Sequence, residues 1–243
     1  KKIEQMKTEF VSTVSHELRT PLTSIQGSLG LIAGGITGEL PQKARELLDI
    51  AKRNCDRLVL LINDILDIEK IESGKMDFNM RPLDLTPVVE QAIKANQSYA
   101  DKYGVKYVLK ETLPKSKIYA DENRLMQVMA NLLSNAAKFS PENEKVVISV
   151  TRSGKSIRVA IKDKGSGIPE EFRNSVFGKF AQADSSDTRK KGGTGLGLSI
   201  SKAIIEKLGG TIGFESQPGK GTTFFFEIPE WVEIAVDSEK VEK

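Results

Sequence analysis

Phe10-Val11-Ser12-Thr13-Val14-Ser15-His16-Glu17-Leu18-Arg19-Thr20-Pro21-Leu22 holds the only histidine of this 243-residue chain. Around it, Ile3, Met6, Phe10, Val14, Leu18, Leu22, Ile25, Leu29 and Ile32 recur at steps of three and four. That spacing predicts one long helix with a single buried stripe. His16 lies two residues from both Val14 and Leu18, so at about 100° per residue it projects from the opposite, polar side. Glu17 is its neighbour, and the Thr20 hydroxyl stands one turn along. A carboxylate beside an imidazole favours one ring tautomer and can take its proton while the other nitrogen attacks. Pro21 removes an N–H and loosens or kinks the helix just after Thr20. Zinc binding of the His-Glu-x-x-His kind is excluded, because no second histidine exists.

Composition narrows the class. A hydrophobic fraction of 39% and a charged fraction of 28% describe a folded globular chain. The net charge of +3 is spread among interspersed signs, so no nucleic-acid partner is expected. One cysteine, Cys55, excludes an intrachain disulfide, fits a reducing compartment and reads as a buried structural thiol. No apolar run approaches the roughly 18 residues of a membrane span, and no signal peptide is evident. The start in Lys1-Lys2-Ile3-Glu4, without an initiator Met, suggests a piece of a longer protein whose upstream sensor or membrane segments lie elsewhere.

Outward from the first helix, Gly34-Gly35-Ile36-Thr37-Gly38-Glu39-Leu40-Pro41 is a turn ending in a helix-starting proline. A second helix runs to Ser73-Gly74 with a seam of Leu48, Ala51, Cys55, Leu58, Ile62 and Ile65. Two antiparallel helices leave much of each stripe uncovered, and a twofold dimer forming a four-helix bundle covers it. From Gly74 on, short β-rich runs alternate with helices. Strands are predicted at Met76–Leu85, Val105–Lys110, Lys117–Ala120, Val146–Arg152, Ser156–Asp163, Thr211–Ser216 and Gly221–Ile228. Helices are predicted near 86–103, 122–138, 170–177 and 196–208. Successive strands pairing antiparallel under helices make an α+β two-layer sandwich. The expected domains are 1–74, a helical hairpin, 75–230, the sandwich, and 231–243, a charged tail.

The sandwich carries a second cluster. Gly192-Gly193-Thr194-Gly195-Leu196-Gly197 opens directly onto a helix, where glycines and free N–H groups suit a phosphate. The spacing is not the dinucleotide fingerprint, and Gly154-Lys155-Ser156 lacks the earlier glycine of a P-loop. Asn131, Asn135 and Lys138 share a helix face bordering the apolar stripe of Leu125, Val128, Met129, Leu132 and Ala136. Amides there need partners, and a magnesium ion with phosphate oxygens would supply them. Asp163-Lys164-Gly165-Ser166-Gly167 ends a strand in a carboxylate able to accept from an exocyclic amine such as adenine's.

Together these stretches resemble the two-component sensor histidine kinases. Ser15–Leu22 resembles the phospho-acceptor box, Asn131–Phe139 the asparagine box and Asp163–Gly167 the first glycine box. Phe177-Gly178-Lys179-Phe180 is similar to the phenylalanine box, Gly193–Gly197 to the second glycine box, and Gly219–Phe224 to the last. The resemblance implies a helical hairpin forming a dimeric four-helix bundle, followed by the gyrase-type ATP-binding sandwich. It implies that His16 accepts a phosphoryl group from ATP, with Glu17 orienting it and Thr20 positioning water to dephosphorylate the partner response-regulator receiver domain. Asn131 and Asn135 would bind Mg2+, Lys138 the phosphates, and Asp163 the adenine. Gly165, Gly167, Phe180, Gly193, Thr194, Gly195, Leu196, Gly197 and Thr222 would complete the nucleotide site, with a mobile lid that includes Gln182–Lys191. The expected setting is cytoplasmic, with a parent protein anchored in a bacterial inner membrane. Two other readings stand beside it: a gyrase-like ATPase with His16 incidental, and a degenerate kinase acting as a dimeric scaffold.

Overall fold

The computed structural model describes residues 2–36, 38–182 and 193–232; for residues 2–12 and His16 it describes the backbone only. The expected loop 182–191 beyond Gln182, Gly192, and the tail beyond Val232 lie outside the described residues. The chain divides into two compact units. The first comprises Lys1–Asp77 with Phe177–Ile200, and the second Phe78–Val176 with Ser201–Lys243.

In the first unit, α1 spans Lys2–Ala33 and α2 spans Gln42–Glu72. Pro21 sits inside α1, which continues through it. Gly35 and Gly38, at φ of 86° and 85°, turn the chain between the helices. Leu22, Cys55 and Ile62 form the buried seam, with Leu29, Val59 and Leu66 packed against it. The Cys55 thiol is buried and donates to the Leu22 carbonyl at 3.5 Å, the structural role expected of it. Arg19 Nη2 donating to Asn63 Oδ1 at 2.9 Å and Gln26 Nε2 to Asp56 Oδ1 at 2.7 Å set the register.

The seam corrects the predicted stripe. Ser15 and Leu22 are buried, whereas Val14, Leu18 and Ile25 are 37%, 47% and 49% exposed. The apolar arc of α1 is wider than one neighbouring helix can cover, so α2 takes one edge of it and the other remains open. Leu47, Ile50 and Leu58 are likewise exposed on α2. Among the described residues, no helix is long and apolar enough to cross a membrane.

The second unit packs helices on a sheet. Its elements are β1 (Arg81–Asp84), α3 (Leu85–Ala95), α4 (Gln97–Lys102), β2 (Lys106–Glu111), β3 (Lys117–Ala120), α5 (Glu122–Phe139), β4 (Lys145–Ser153) and β5 (Ser156–Lys162). A 3-10 turn follows at Glu170–Ser175, then β6 (Thr211–Gln217) and β7 (Gly221–Pro229). Helix α6 (Gly197–Lys207) begins among the residues of the first unit and ends among those of the second. The five-stranded sheet has the order β2-β4-β5-β7-β6, and β1 pairs with β3 in a separate two-stranded ribbon. Leu125, Val128, Met129, Leu132 and Leu133 of α5 are fully buried, as are Val146, Ile148, Ile157, Val159 and Phe226 from the sheet. Each large apolar side chain so buried contributes about 1.5–3 kcal/mol. Asp121 caps α5, accepting from the Arg124 N–H at 3.1 Å.

Three expectations change. The run Met76–Leu85 yields a strand only at Arg81–Asp84. The N–H groups of Gly74, Lys75 and Met76 turn back to Ile71 and Lys70 carbonyls, and that of Asn79 donates to the Asp121 carboxylate at 2.7 Å. They are therefore spent before a ladder can form. The predicted helix 86–103 breaks at Asn96, whose Nδ2 donates to the Ala92 carbonyl at 2.8 Å and competes with helix continuation. Finally, β2 and β4 pair parallel, not antiparallel, with α5 in the connection between them.

Candidate functional site

In the second unit, α5 presents its amides beside the core, as its periodicity dictates. Asn131 Nδ2 donates to Ser201 Oγ at 2.9 Å, and Asn135 Nδ2 donates to Asn131 Oδ1 at 3.3 Å. Both asparagines are half-buried and Ser201 is buried. The ladder consumes the Asn131 amide on both sides and leaves Asn135 Oδ1 without a partner among the described residues. A single free carbonyl oxygen suits Mg2+, which keeps several waters and takes most other ligands from phosphates. No cluster of three or more His, Cys, Asp or Glu able to hold a metal occurs among the described residues. Lys138, in the last turn of α5, stands over the Phe139 ring with Nζ 4.8 Å from its centre.

The second cluster forms where β5 ends. Asp163 is 4% exposed. Its Oδ1 accepts from the Gly165 N–H at 2.8 Å and from the Thr222 N–H at 3.1 Å, and Oδ2 takes neither. Burial pushes this carboxyl above its usual range, and the two backbone donors pull it back in part. Thr222 Oγ1 shares a 2.9 Å hydrogen bond with Ser216 Oγ, which also accepts from the Ile168 N–H at 2.8 Å. Close approach requires glycine at Gly165 and Gly167, among other positions. A Cβ at Gly167, where φ is +77°, would lie 2.4 Å from the Gln217 carbonyl oxygen; one at Gly165 would lie 2.7 Å from that of Phe139.

The remaining sequence-predicted residues belong to the first unit. His16, Glu17 and Thr20 lie on α1, Glu17 and Thr20 exposed. Phe180 is 63% exposed with φ of 58°, and Gly195 packs so closely on it that a Cβ would meet the Phe180 carbonyl carbon at 2.9 Å. The Leu196 side chain is fully buried, and its N–H donates to Thr194 Oγ1 at 3.2 Å. Gly193 accepts at its carbonyl from Gln182 Nε2 at 3.2 Å, and Gly197 starts α6.

Sequence reading missed Ser201, Ser216 and Asp64. Asp64 alone left a signal, a carboxylate within the apolar run Val59–Ile68.

Known proteins resemble this chain along most of its length. Residues 6–74 match the family model "His Kinase A (phospho-acceptor) domain", and residues 120–232 match "Histidine kinase-, DNA gyrase B-, and HSP90-like ATPase". The chain belongs to the two-component sensor histidine kinases. The chain is 39% identical over 226 residues to the circadian input-output histidine kinase CikA of Synechococcus elongatus, covering 92% of this chain and 30% of that protein. It thus spans under a third of that relative's length. Full-length ShkA, crystallised in complex with AMPPNP, superposes with a TM-score of 0.74 at 28% identity, over 91% of this chain and 45% of that one. The catalytic domain of histidine kinase ThkA is 30% identical with a TM-score of 0.54, covering 64% of this chain and 97% of that domain.

Proposed function

We propose that this chain is the core of an ATP-dependent protein-histidine kinase that phosphorylates its own His16 and passes the phosphoryl group to an aspartate of a response-regulator receiver domain. The observation that carries the reading is the asparagine ladder of α5 and the buried Asp163 carboxylate in the same sandwich. Asp163 is buried, and its Oδ1 is held by two backbone donors while Oδ2 has no hydrogen-bond partner among the described residues. The purine amine would donate to Oδ2, Thr222 would steady the carboxylate's own strand, and Gly165 and Gly167 would let the base approach the backbone. Asn135 Oδ1 would hold Mg2+, with Asn131 orienting it through the ladder to Ser201. Mg2+ would neutralise charge on the phosphate oxygens. Lys138 would contact the phosphates, and Gly193, Thr194, Gly195, Leu196 and Gly197 would supply backbone N–H groups and a hydroxyl. Phe180 would close over that turn.

The chemistry needs little covalent help. His16 attacks the γ-phosphorus through one ring nitrogen as the bond to ADP breaks, and Glu17 takes the proton from the other nitrogen. Thr20, one turn along, would position water when the partner is dephosphorylated. We assign residues 1–74 to dimerisation and phosphotransfer, 75–230 to catalysis and 231–243 to a tail. The open apolar edges at Val14, Leu18, Ile25, Leu47 and Leu58 support a homodimeric four-helix bundle. We place this core in the cytoplasm, where ATP and receiver domains are found, with any membrane anchor in other segments of the parent protein.

Incubation with γ-labelled ATP and Mg2+ tests the reading. Wild-type protein should gain acid-labile, base-stable phosphate, and His16→Gln should gain none. Equal labelling of the two proteins overturns it.

A further inference from the structure

The segment Phe177–Ile200 lies in the same compact unit as the helical hairpin. Among the described residues, polar contacts join it to α2 at Lys179 and Thr194. Lys179 Nζ pairs with the Glu72 carboxylate, both about half exposed, and such a pair is worth little. The other contact is of a different kind. Thr194 Oγ1 donates to Asp64 Oδ2 at 2.6 Å, and Asp64 is 8% exposed on α2. No Lys, Arg or His among the described residues pairs with it. Burial raises its pKa, the nearby Asp67 raises it further, and the Thr194 hydroxyl lowers it. A carboxylate kept in such a place with one neutral donor is expensive, and stability alone does not account for it.

The hydrogen bonds at this point have a direction. The Leu196 N–H donates to Thr194 Oγ1, and the Thr194 hydroxyl donates onward to Asp64. An anion seated at the Gly193–Gly197 turn would call on those same two donors. Here they are spent inside the chain, and the relay ends on a negative charge. Register places the acceptor as well: Arg19 bonds to Asn63, the residue before Asp64, so Asp64 stands within about one helical turn of the level of His16.

We propose that Asp64 is an autoinhibitory acceptor: it holds the second glycine-rich turn through Thr194 and competes with a nucleotide phosphate for that turn. The proposal rests on the nucleotide reading above and adds regulation to it. ATP must displace Asp64 from Thr194, so any movement of α2 that withdraws Asp64 raises the fraction of chains able to bind. Apparent affinity scales with that fraction. The latch therefore converts a shift along the hairpin into a change in nucleotide occupancy.

The test is titration of the full chain with Mg2+ and a non-hydrolysable ATP analogue, comparing wild type with Asp64→Ala and Asp64→Asn. Asp64→Ala should bind about tenfold more tightly, and Asp64→Asn by a smaller factor because its amide oxygen still accepts. Circular dichroism of each variant establishes that the fold is intact. In a Thr194→Ala background, Asp64→Ala should add no further gain. Equal or weaker binding by a folded Asp64→Ala overturns the latch, as does the same gain with and without Thr194. Loss of binding in every protein, wild type included, overturns the nucleotide reading and the latch with it.

Discussion

Replacing Asp163 by asparagine separates recognition from stability at one atom. The variant keeps Oδ1, which accepts from Gly165 and Thr222 at 2.8 and 3.1 Å, and exchanges Oδ2 for an NH2 group. A donor then faces the purine amine, itself a donor. A hydrogen bond to a charged acceptor is worth about 1.5–3 kcal/mol. At about 1.4 kcal/mol per decade, its loss weakens binding of an adenine nucleotide roughly 10- to 150-fold. The same NH2 can donate to a 6-oxo purine, so inosine triphosphate should gain on ATP in the variant. Stability should move the other way. Folding raises the pKa of Asp163, so the protonated form is the one that folding favours. That contribution is present below the carboxyl's ordinary pKa and is lost as pH rises through the raised value. An asparagine side chain does not titrate and is free of this loss. The variant should therefore melt at or above the wild-type temperature at neutral pH, and the difference should shrink in acid. Competition binding with ATP and inosine triphosphate, together with melts across pH, measures both. Unchanged ATP affinity with unchanged purine preference would refute the assignment of Oδ2.

Gly221→Ala should destabilise the second unit by about 2 kcal/mol or more, read by urea denaturation. Its φ is +94° and a Cβ would sit 2.2 Å from the Asp163 carbonyl oxygen, so strain and displacement add. Leu18→Glu acts on the hairpin instead. Leu18 is 47% exposed in the single chain, so helicity should survive. Burying the leucine at a subunit contact would contribute about 1.5–3 kcal/mol per copy. Sedimentation should accordingly show the dimer dissociating at least tenfold more readily. A stable dimer in the variant would place the interface elsewhere.

Periodicity made much of this legible. The limits of α5 and β3 follow from alternation and capping, and the face shared by Asn131, Asn135 and Lys138 follows from helical spacing. What escaped involved partners distant in sequence. The Asn131 amide meets Ser201, 70 residues on, and Asp163 meets Thr222, 59 residues on. No local pattern encodes either meeting. The width of the α1 stripe misled for a related reason. A pattern shows that Val14, Leu18 and Leu22 are apolar, and only packing shows that Leu22 faces α2 while the other two face outward. Asp64 was visible as an oddity within an apolar run, but its partner Thr194 lies 130 residues away.

The parallel pairing of β2 with β4 bears on how this protein can be re-engineered. Parallel neighbours cannot be joined by a tight turn, so the chain must cross over, and α5 is that crossing. The helix bearing Asn131 and Asn135 is thereby anchored by a strand at each end, and a cut or insertion there would uncouple an edge of the sheet. The β4–β5 turn is the opposite case. Gly154 has nothing within 4 Å of where its Cβ would lie, and the strands on either side already pair with each other. New termini or a fluorescent domain placed at that tip would leave the asparagine ladder undisturbed. The fold thus offers a natural attachment point for a sensor of its own nucleotide state.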